Sequence, residues 1–565
     1  MTEPSAPSAN RGMRVSTITV KSGLVLELPK TVVLCVVGGN NVGKSQFLRE
    51  VQQSIVAEQP TSGFLVDSVS VQFEFAGGDI SGWLEEHGVQ STDPNRGVVW
   101  AARGLEGSSG HRLEHLQQWV SNPRPYLTAI ADWFIRALDS GRRVGLATGS
   151  LGIAGMLQPM GGPLYELWLD GDRESEFSDI CMRTFGFPLT LDRVTGNVQL
   201  RVGTPSVETP PLQHPTREYT DAVANLPPVA DQGDGVKNYL GMVLHLMTAH
   251  EAITIIDEPE AFLHPAQARA LGRHLGQQAV KQERQLLTAT HDRDFVLGLL
   301  EANCPVLFLR INRAGNTNSF APLLPEDVQA IWDKPALRYS NLIQGLFHQA
   351  VVVCEGDPDC RWYAAVLDHL ASQGTFSAEE VLFVPGGGKD QVPASLHALD
   401  SLQVQSFGLL DFDVLYDTSF IKRLALARQI PEERLLLLSR AIRSQLSTTA
   451  MRKRAKETGI RGLPAGNCAT MADEMISILR SHRILVVEAG ELESFDNTIG
   501  GHASAWVSEA LARGIHKSST EARAVLAPVI AALNSERAVS PLKKIEAPPD
   551  GVAQLFRFLD CLTSE

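Results

Sequence analysis

Gly38-Gly39-Asn40-Asn41-Val42-Gly43-Lys44-Ser45 has the spacing G-x-x-x-x-G-K-[ST]. Its glycines let successive backbone N–H groups turn toward a polyphosphate. In that setting Gly38, Asn40, Asn41 and Gly43 form a cradle for ATP. Lys44 neutralises the β- and γ-phosphates and Ser45 ligates Mg²⁺. A second set follows at Asp257-Glu258, which closes the apolar run Ile253–Ile256. There Asp257 would hold Mg²⁺ through water and Glu258 would orient and polarise the attacking water. His291, at the end of Leu286–Thr290, is placed to sense the γ-phosphate. A third set is acidic: Glu355 beyond Val351–Val353, and Asp411-Phe412-Asp413 beyond Phe407–Leu410. Side chains two apart on extended chain face the same way, so Asp411 and Asp413 can reach one cation. Glu355 joins them if the two strands are neighbours. Oxygen-only ligands select Mg²⁺ or Mn²⁺ over zinc.

These residues need strand ends and helix starts to hold them. Thr31–Val37 reads as a buried strand ahead of the phosphate loop, and Ser45–Ile55 as the helix after it. Residues 13–30 alternate as a β-hairpin, and Val66–Phe75 as a further strand. Gln72 on that strand is open between a magnesium contact and a solvated position. Leu113–Val120 and Tyr126–Leu138 read as helices, and the proline-rich stretch Pro205–Pro228 as a surface loop. Gln232–Lys237 opens the apolar helix Tyr239–Ala249, and a glycine-rich turn at a helix start offers N–H groups to an anion. Its place ahead of Ile253–Asp257 resembles the signature motif of ABC-type ATPases, in which one subunit closes over the ATP held by another. Gly235 and Lys237 would then approach the γ-phosphate; the alternative is an ordinary helix cap. Pro305–Ile311 and Ser319–Leu324 read as a hairpin closing this unit, and 325–345 as a helical connection.

In the second half, Asp357-Pro358 starts a helix whose apolar face is Trp362, Tyr363, Val366, Leu367 and Leu370. Val381–Val384 is a strand followed by Gly386-Gly387-Gly388-Lys389. Ligands gather at the carboxyl ends of strands in open α/β sheets, where these acids fall. The expected architecture is therefore α/β. Residues 1–12 form a disordered tail, 13–340 a nucleotide-binding unit with an insertion at 80–230, largely helix and loop, and 341–565 a second parallel-sheet unit with a helical C-terminal part.

Composition sets limits. The net charge of −14 excludes a general polyanion-coating protein, so any nucleic-acid contact must come from a local patch. Arg440, Arg443, Arg452, Lys453, Arg454, Lys456 and Arg461 supply one, or a solvated helix face. Cysteines at 35, 181, 304, 354, 360, 468 and 561 form no C-x-x-C pair, as expected of a reducing, cytoplasmic compartment. No apolar run is long enough to span a membrane, and the N-terminus lacks an apolar signal core.

Glu355-Gly356 followed by Asp411-x-Asp413 resembles a toprim domain. Behind a P-loop ATPase whose Ala261–Pro265 is similar to the RecF/SMC/OLD branch of ABC ATPases, it resembles the OLD (overcoming lysogenization defect) nuclease family. The glycine-rich stretch before Lys389 also resembles the toprim subunit of PARIS-type phage defence. The resemblance implies ATP-linked, Mg²⁺- or Mn²⁺-dependent phosphodiester cleavage, self-association as a dimer or higher, and a bacterial defence role. It places DNA ahead of RNA as substrate and leaves room for a partner protein. Glu355 carries over as metal ligand and possible general base, Asp411 and Asp413 as metal ligands, and Asp359 as a further acid. Glu493 is the choice for a second metal, with Glu488 and Glu491 as rivals. A late lysine is expected, from Lys517, Lys543 or Lys544. Two alternatives stay open: a tRNA-cutting effector fused to its sensor ATPase, and a non-cutting ATPase scaffold that senses a phage protein.

Overall fold

The computed structural model describes residues 12–534 except 59–60, 75–79, 104–109, 123, 153–161, 212–213, 315–316, 324–340, 375 and 465. Residues 1–11 of the expected N-terminal tail, Phe75, most of the expected connection 325–345, and Lys543 and Lys544 lie outside the described residues.

Val32–Val37 is buried at every position and sits inside a six-stranded sheet. The order across the sheet is Thr317–Leu323, Val306–Ala314, Val32–Val37, Gln285–Ala289, Ile253–Asp257, Ile135–Leu138. All pairings are parallel except that of the edge strand Thr317–Leu323. Strands covered on both faces read as continuous apolar runs. Successive residues of Val32–Val37 alternate between two cores: Val33, Cys35 and Val37 face one, Val32, Leu34 and Val36 the other. The second core also packs under the three-stranded antiparallel sheet of Val25–Glu27, Met13–Val20 and Val66–Phe73. Helix Asp234–Thr248, buried along most of its length, fills the first.

The stretch 80–230 differs from its expected helix-and-loop reading. Tyr126–Leu138 is not one helix: helix Leu127–Phe134 gives way to strand Ile135–Leu138, which pairs in parallel with Ile253–Ile256. Helical spacing was real up to Phe134, but the open edge of the sheet offers Ile135–Leu138 a full ladder of partners, and this overrides local propensity. Gly88–Asp93 and Gly97–Ala102 form a hairpin, and Leu189–Asp192, Asn197–Val202 and Leu151–Gly152 a small antiparallel sheet. Pro205–Pro228, read as loop, contains helix Arg217–Ala224, capped by Thr216 through the Tyr219 N–H.

The second unit is a four-stranded parallel sheet in the order Val381–Pro385, Ala350–Cys354, Ser406–Leu410, Ile484–Val486. Asp357–Ala371 buries Trp362 and Tyr363 on one face of this sheet, against Trp506 and Phe495. Helices Val392–Ser401, Thr418–Ala427 and Glu432–Gln445 bury their apolar faces in the core that continues from the first unit. No described helix is long and apolar enough to cross a membrane.

Candidate functional site

Two sites stand at carboxyl ends of strands. In the first, register aligns Val36, Ala289 and Asp257 across three neighbouring strands, so the phosphate loop, His291 and the Asp257-Glu258 turn all leave the sheet on one edge. Gly38 has φ +149, and a Cβ there would stand 2.3 Å from the Ile311 carbonyl, so only glycine lets the chain turn. Gly43, at φ +101, precedes helix Lys44–Val56. Lys44 is 8 % exposed, and its ammonium donates to the Gly38 and Gly39 carbonyls at 3.0 and 2.7 Å. Burial lowers its pKa, against the opposing pull of Glu258, Glu260 and Asp257.

Asp257 has one buried carboxylate oxygen, Oδ1, with no hydrogen-bond partner. Glu258 is exposed and adopts φ +47. His291 Nδ1 lies 3.6 Å from Glu258 and 3.3 Å from Glu260. Sequence reasoning passed over Glu260. Its Oε1 accepts from Thr290 Oγ1 at 2.7 Å and His291 N at 3.0 Å, which fixes the histidine's backbone, and burial raises its pKa. Gly235 and Lys237 pack elsewhere. Gly235 lies against Phe262, where a Cβ would be 2.5 Å from the carbonyl, and Lys237 pairs with Asp234 at 2.8 Å. Asn238 donates to the Ala261 carbonyl at 2.9 Å, tying this helix start to the loop after Glu258. Gln72 accepts from Arg14 Nη2 within the antiparallel sheet.

The second site is built by adjacency. Ala350–Cys354 and Ser406–Leu410 are neighbours, with Cys354 opposite Leu409, so Glu355 and Asp411 emerge side by side. The Asp411 N–H donates to Glu355 Oε1 at 3.0 Å. Asp413 lies on the 3₁₀ turn Phe412–Tyr416; its Oδ2 meets Lys389 Nζ at 3.2 Å and its buried Oδ1 has no partner. Lys389 also pairs with Asp417 at 3.3 Å. It follows Gly387 and Gly388, at φ +77 and +104, and the Gly388 N–H donates to the Glu355 carbonyl. Asp359 Oδ2 accepts from Gly356 N at 3.0 Å.

Among the three candidate late glutamates, Glu493 is the one whose charge acts on Asp359; it is held by the Ala503 N–H and by His502. Glu488 pairs with Arg480, and Glu491 with Lys456 at 3.4 Å. Lys456, not Lys517, is the described late-chain lysine whose charge acts on Asp411 and Asp413. Its place in a basic run, far in sequence from Asp411 and Asp413, concealed this.

Burial pushes Glu355 up to about 7, with Asp413 and Asp359 adding to the shift against the Asp411 N–H and Lys389. Burial raises Asp411 well above the carboxylate range, and Glu355, Asp359 and Asp413 raise it further. Among the described residues, no three or more His, Cys, Asp and Glu side chains are arranged as they stand to hold one metal ion. Glu355, Asp359, Glu493 and Asp413 Oδ2 are each turned toward an internal N–H or ammonium partner.

A family model described as "AAA domain, putative AbiEii toxin, Type IV TA system" matches residues 217–298. That stretch contains Gly235, Lys237, Asp257, Glu258 and His291. No curated protein sequence matches the chain. Solved structures similar to it include an SmcHead bound to the C-winged helix domain of ScpA (11% identity, TM-score 0.31, 56% of this chain and 99% of that one). An SMC head domain from Thermotoga maritima gives 13%, 0.30, 55% and 99%. An Smc head domain with an extended coiled coil, bound to the C-terminal domain of ScpA from Pyrococcus furiosus, gives 11%, 0.30, 57% and 99%. At these scores the likeness carries no argument about mechanism. The matched segment and the phosphate loop make the first unit an ATP-binding P-loop ATPase domain of α/β fold.

Proposed function

We propose that the chain is an ATP-regulated, divalent-cation-dependent phosphodiesterase that cuts nucleic acid, DNA ahead of RNA, as an OLD-type defence effector. The observation that carries this reading is the crowding of Glu355, Asp411 and Asp413 at adjacent strand ends, with Asp413 Oδ1 buried and unpartnered. A buried carboxylate oxygen without a hydrogen-bond donor, among like charges, fits a divalent cation as its partner. The donor set is all oxygen, which fits Mg²⁺ or Mn²⁺ held by Glu355, Asp411 and Asp413, with Asp359 and Glu493 beside them. Such an ion, when bound, supplies charge for the attacking and leaving oxygens of a phosphodiester.

The chain's own groups do the rest. Helix Thr449–Thr458 presents exposed Lys453 and Arg454 and the half-buried Arg452 and Lys456 beside the turn that carries Asp413. These cations hold a nucleic-acid backbone against the acids. In the ATPase unit, Lys44 holds the phosphates, and Glu258 with His291 orients water at the γ-phosphate. Asp257, with its unpartnered Oδ1, and Ser45 fit Mg²⁺ there. Gly235 and Lys237, which lie against Phe262 and Asp234 in their own chain, reach the nucleotide of a second copy.

One observation favours the non-cutting scaffold as a second reading: Lys389 and backbone N–H groups already occupy most of the acids. A nuclease assay on DNA and RNA panels with Mg²⁺ or Mn²⁺, with and without ATP, separates the readings. Cleavage lost in Asp411→Asn with ATP turnover retained is expected. Absence of cleavage under every condition supports the scaffold instead.

A further inference from the structure

We propose that Arg143, contributed by the stretch 80–230, is a positioning residue for ATP hydrolysis that holds Glu258 in place and links it to helix Asp234–Thr248. This rests on the ATPase reading of the first unit, not on the nuclease.

Arg143 lies on helix Ser140–Thr148 and is 3 % exposed. Its guanidinium donates to the backbone carbonyls of the two acids at the nucleotide edge: Nη2 to Asp257 O at 2.7 Å and Nη1 to Glu258 O at 3.0 Å. Strand pairing ends at Asp257, so its carbonyl takes its donor from Arg143, while the Glu258 carbonyl accepts from both Arg143 and the Ala261 N–H. Glu258 is at φ +47, a left-handed conformation that a non-glycine residue keeps only when its surroundings hold it. A planar fork with two parallel donors is suited to clamp both peptide units at once. Lysine carries donors on one compact nitrogen and lacks that fixed planar spacing.

The sequence routes Arg143 to this spot through the strand it hides. Ile135–Leu138 pairs with the Asp257 strand, and Asp139 caps the next helix by accepting the Arg142 N–H at 2.8 Å. The chain then passes directly beneath the Asp257-Glu258 turn. On its other side this helix meets Asp234–Thr248 backbone to backbone. A Cβ at Gly241 would stand 1.8 Å from the Arg143 carbonyl. The Arg143 side chain also reaches Met242 Sδ at 3.9 Å. The helix that begins at Gly235 and Lys237 is therefore locked against the residue that holds the water-orienting glutamate. A shift at that helix start reaches Glu258 through one arginine.

The test uses the full chain. In Arg143→Met, kcat for ATP hydrolysis is expected to fall by about tenfold or more, because small displacements of a positioned group have effects of this size. ATP affinity, read by calorimetry, stays within about threefold, since Lys44 and the loop glycines are untouched. Arg143→Lys recovers part of the rate. In a Glu258→Gln background, Arg143→Met has little further effect on kcat, which a merely structural arginine would not show. Gly241→Ala, which displaces the same helix without changing any charge, should reproduce the loss of kcat. An unchanged kcat in Arg143→Met overturns the proposal, as does full additivity with Glu258→Gln. Unfolding of both Arg143→Met and Gly241→Ala assigns the contact to the core and also overturns it. If wild type and Lys44→Ala turn over ATP equally, the ATPase reading fails instead.

Discussion

Glu355 stands where three other carboxylates and one lysine converge, and its pKa is pushed up to about 7 from 4.5. Between those values the folded chain binds a proton that the unfolded chain does not. The contribution of this residue to stability therefore falls as pH rises from 4.5 and is lowest above 7. Glu355→Gln, which keeps an acceptor for the Asp411 N–H, removes the charge. In chelator it is expected to be more stable than wild type above pH 7 by about 1–3 kcal/mol, with the advantage gone near pH 4.5. Thermal melts across that range check this; a pH-independent difference would show that Glu355 ionises freely. The type and strand-end position of these acids were legible in the sequence because both follow from short apolar runs. Their partners were not. Lys389 reaches Asp413 from a different strand end, and the charge of Lys456, on a helix, acts on Asp411, so both pairings arise only once the sheet order is set.

Helix Thr449–Thr458 earns its place beside the acids through two glycines rather than through its charges. A Cβ at Gly459 would stand 1.9 Å from the Glu488 carbonyl, and one at Gly490, where φ is +123, would stand 2.5 Å from the Lys456 carbonyl. The Ile460 N–H donates to Glu488 O, Phe412 N–H to Gly490 O, and Tyr416 Oη to Arg452 O. Helix, late loop and acidic turn are thus stitched backbone to backbone. Gly490→Ala cannot keep that crossing. It is expected to lower stability by about 1–3 kcal/mol and to weaken binding of a labelled oligonucleotide, although no cation is removed. Fluorescence anisotropy beside a urea titration checks both; unchanged binding would separate this helix from the substrate. Elements with local causes could be read from the chain. The phosphate loop follows from glycine spacing, and the Asp357 helix from its apolar face. Ile135–Leu138 could not, because four apolar-rich residues after a helix become strand only when an unpaired sheet edge lies beside them. The notch that seats Arg143 was hidden with it.

Across the whole molecule the two strand-end sites are joined by contacts that bypass both. Arg310, on the strand next to Val32–Val37, is 1 % exposed and reaches out of the ATPase sheet. It donates to the carbonyls of Gln403 at 2.7 Å, His348 at 2.9 Å and Leu346 at 3.3 Å, all in the second unit. Gln403 returns a bond to the Pro322 carbonyl, and Arg293 reaches Asn341. Gly39 of the phosphate loop lies under Phe347, and a cavity of about 300 Å³ lined by Asn40, Asn41, Arg313, His348 and Glu380 separates loop from second unit. The phosphate loop therefore lies against the segment leading into the Glu355 strand. Arg310→Met retains apolar bulk but removes the donor from one buried and two part-buried carbonyls, and the buried one costs about 1–3 kcal/mol when unpaired. Proteolysis at the junction is then expected to speed up, and ATP hydrolysis to persist at the first unit. Any dependence of phosphodiester cleavage on ATP should disappear. Cleavage that still responds to ATP as in wild type would show that the signal between the halves travels by another route, through a second copy of the chain rather than through this arginine.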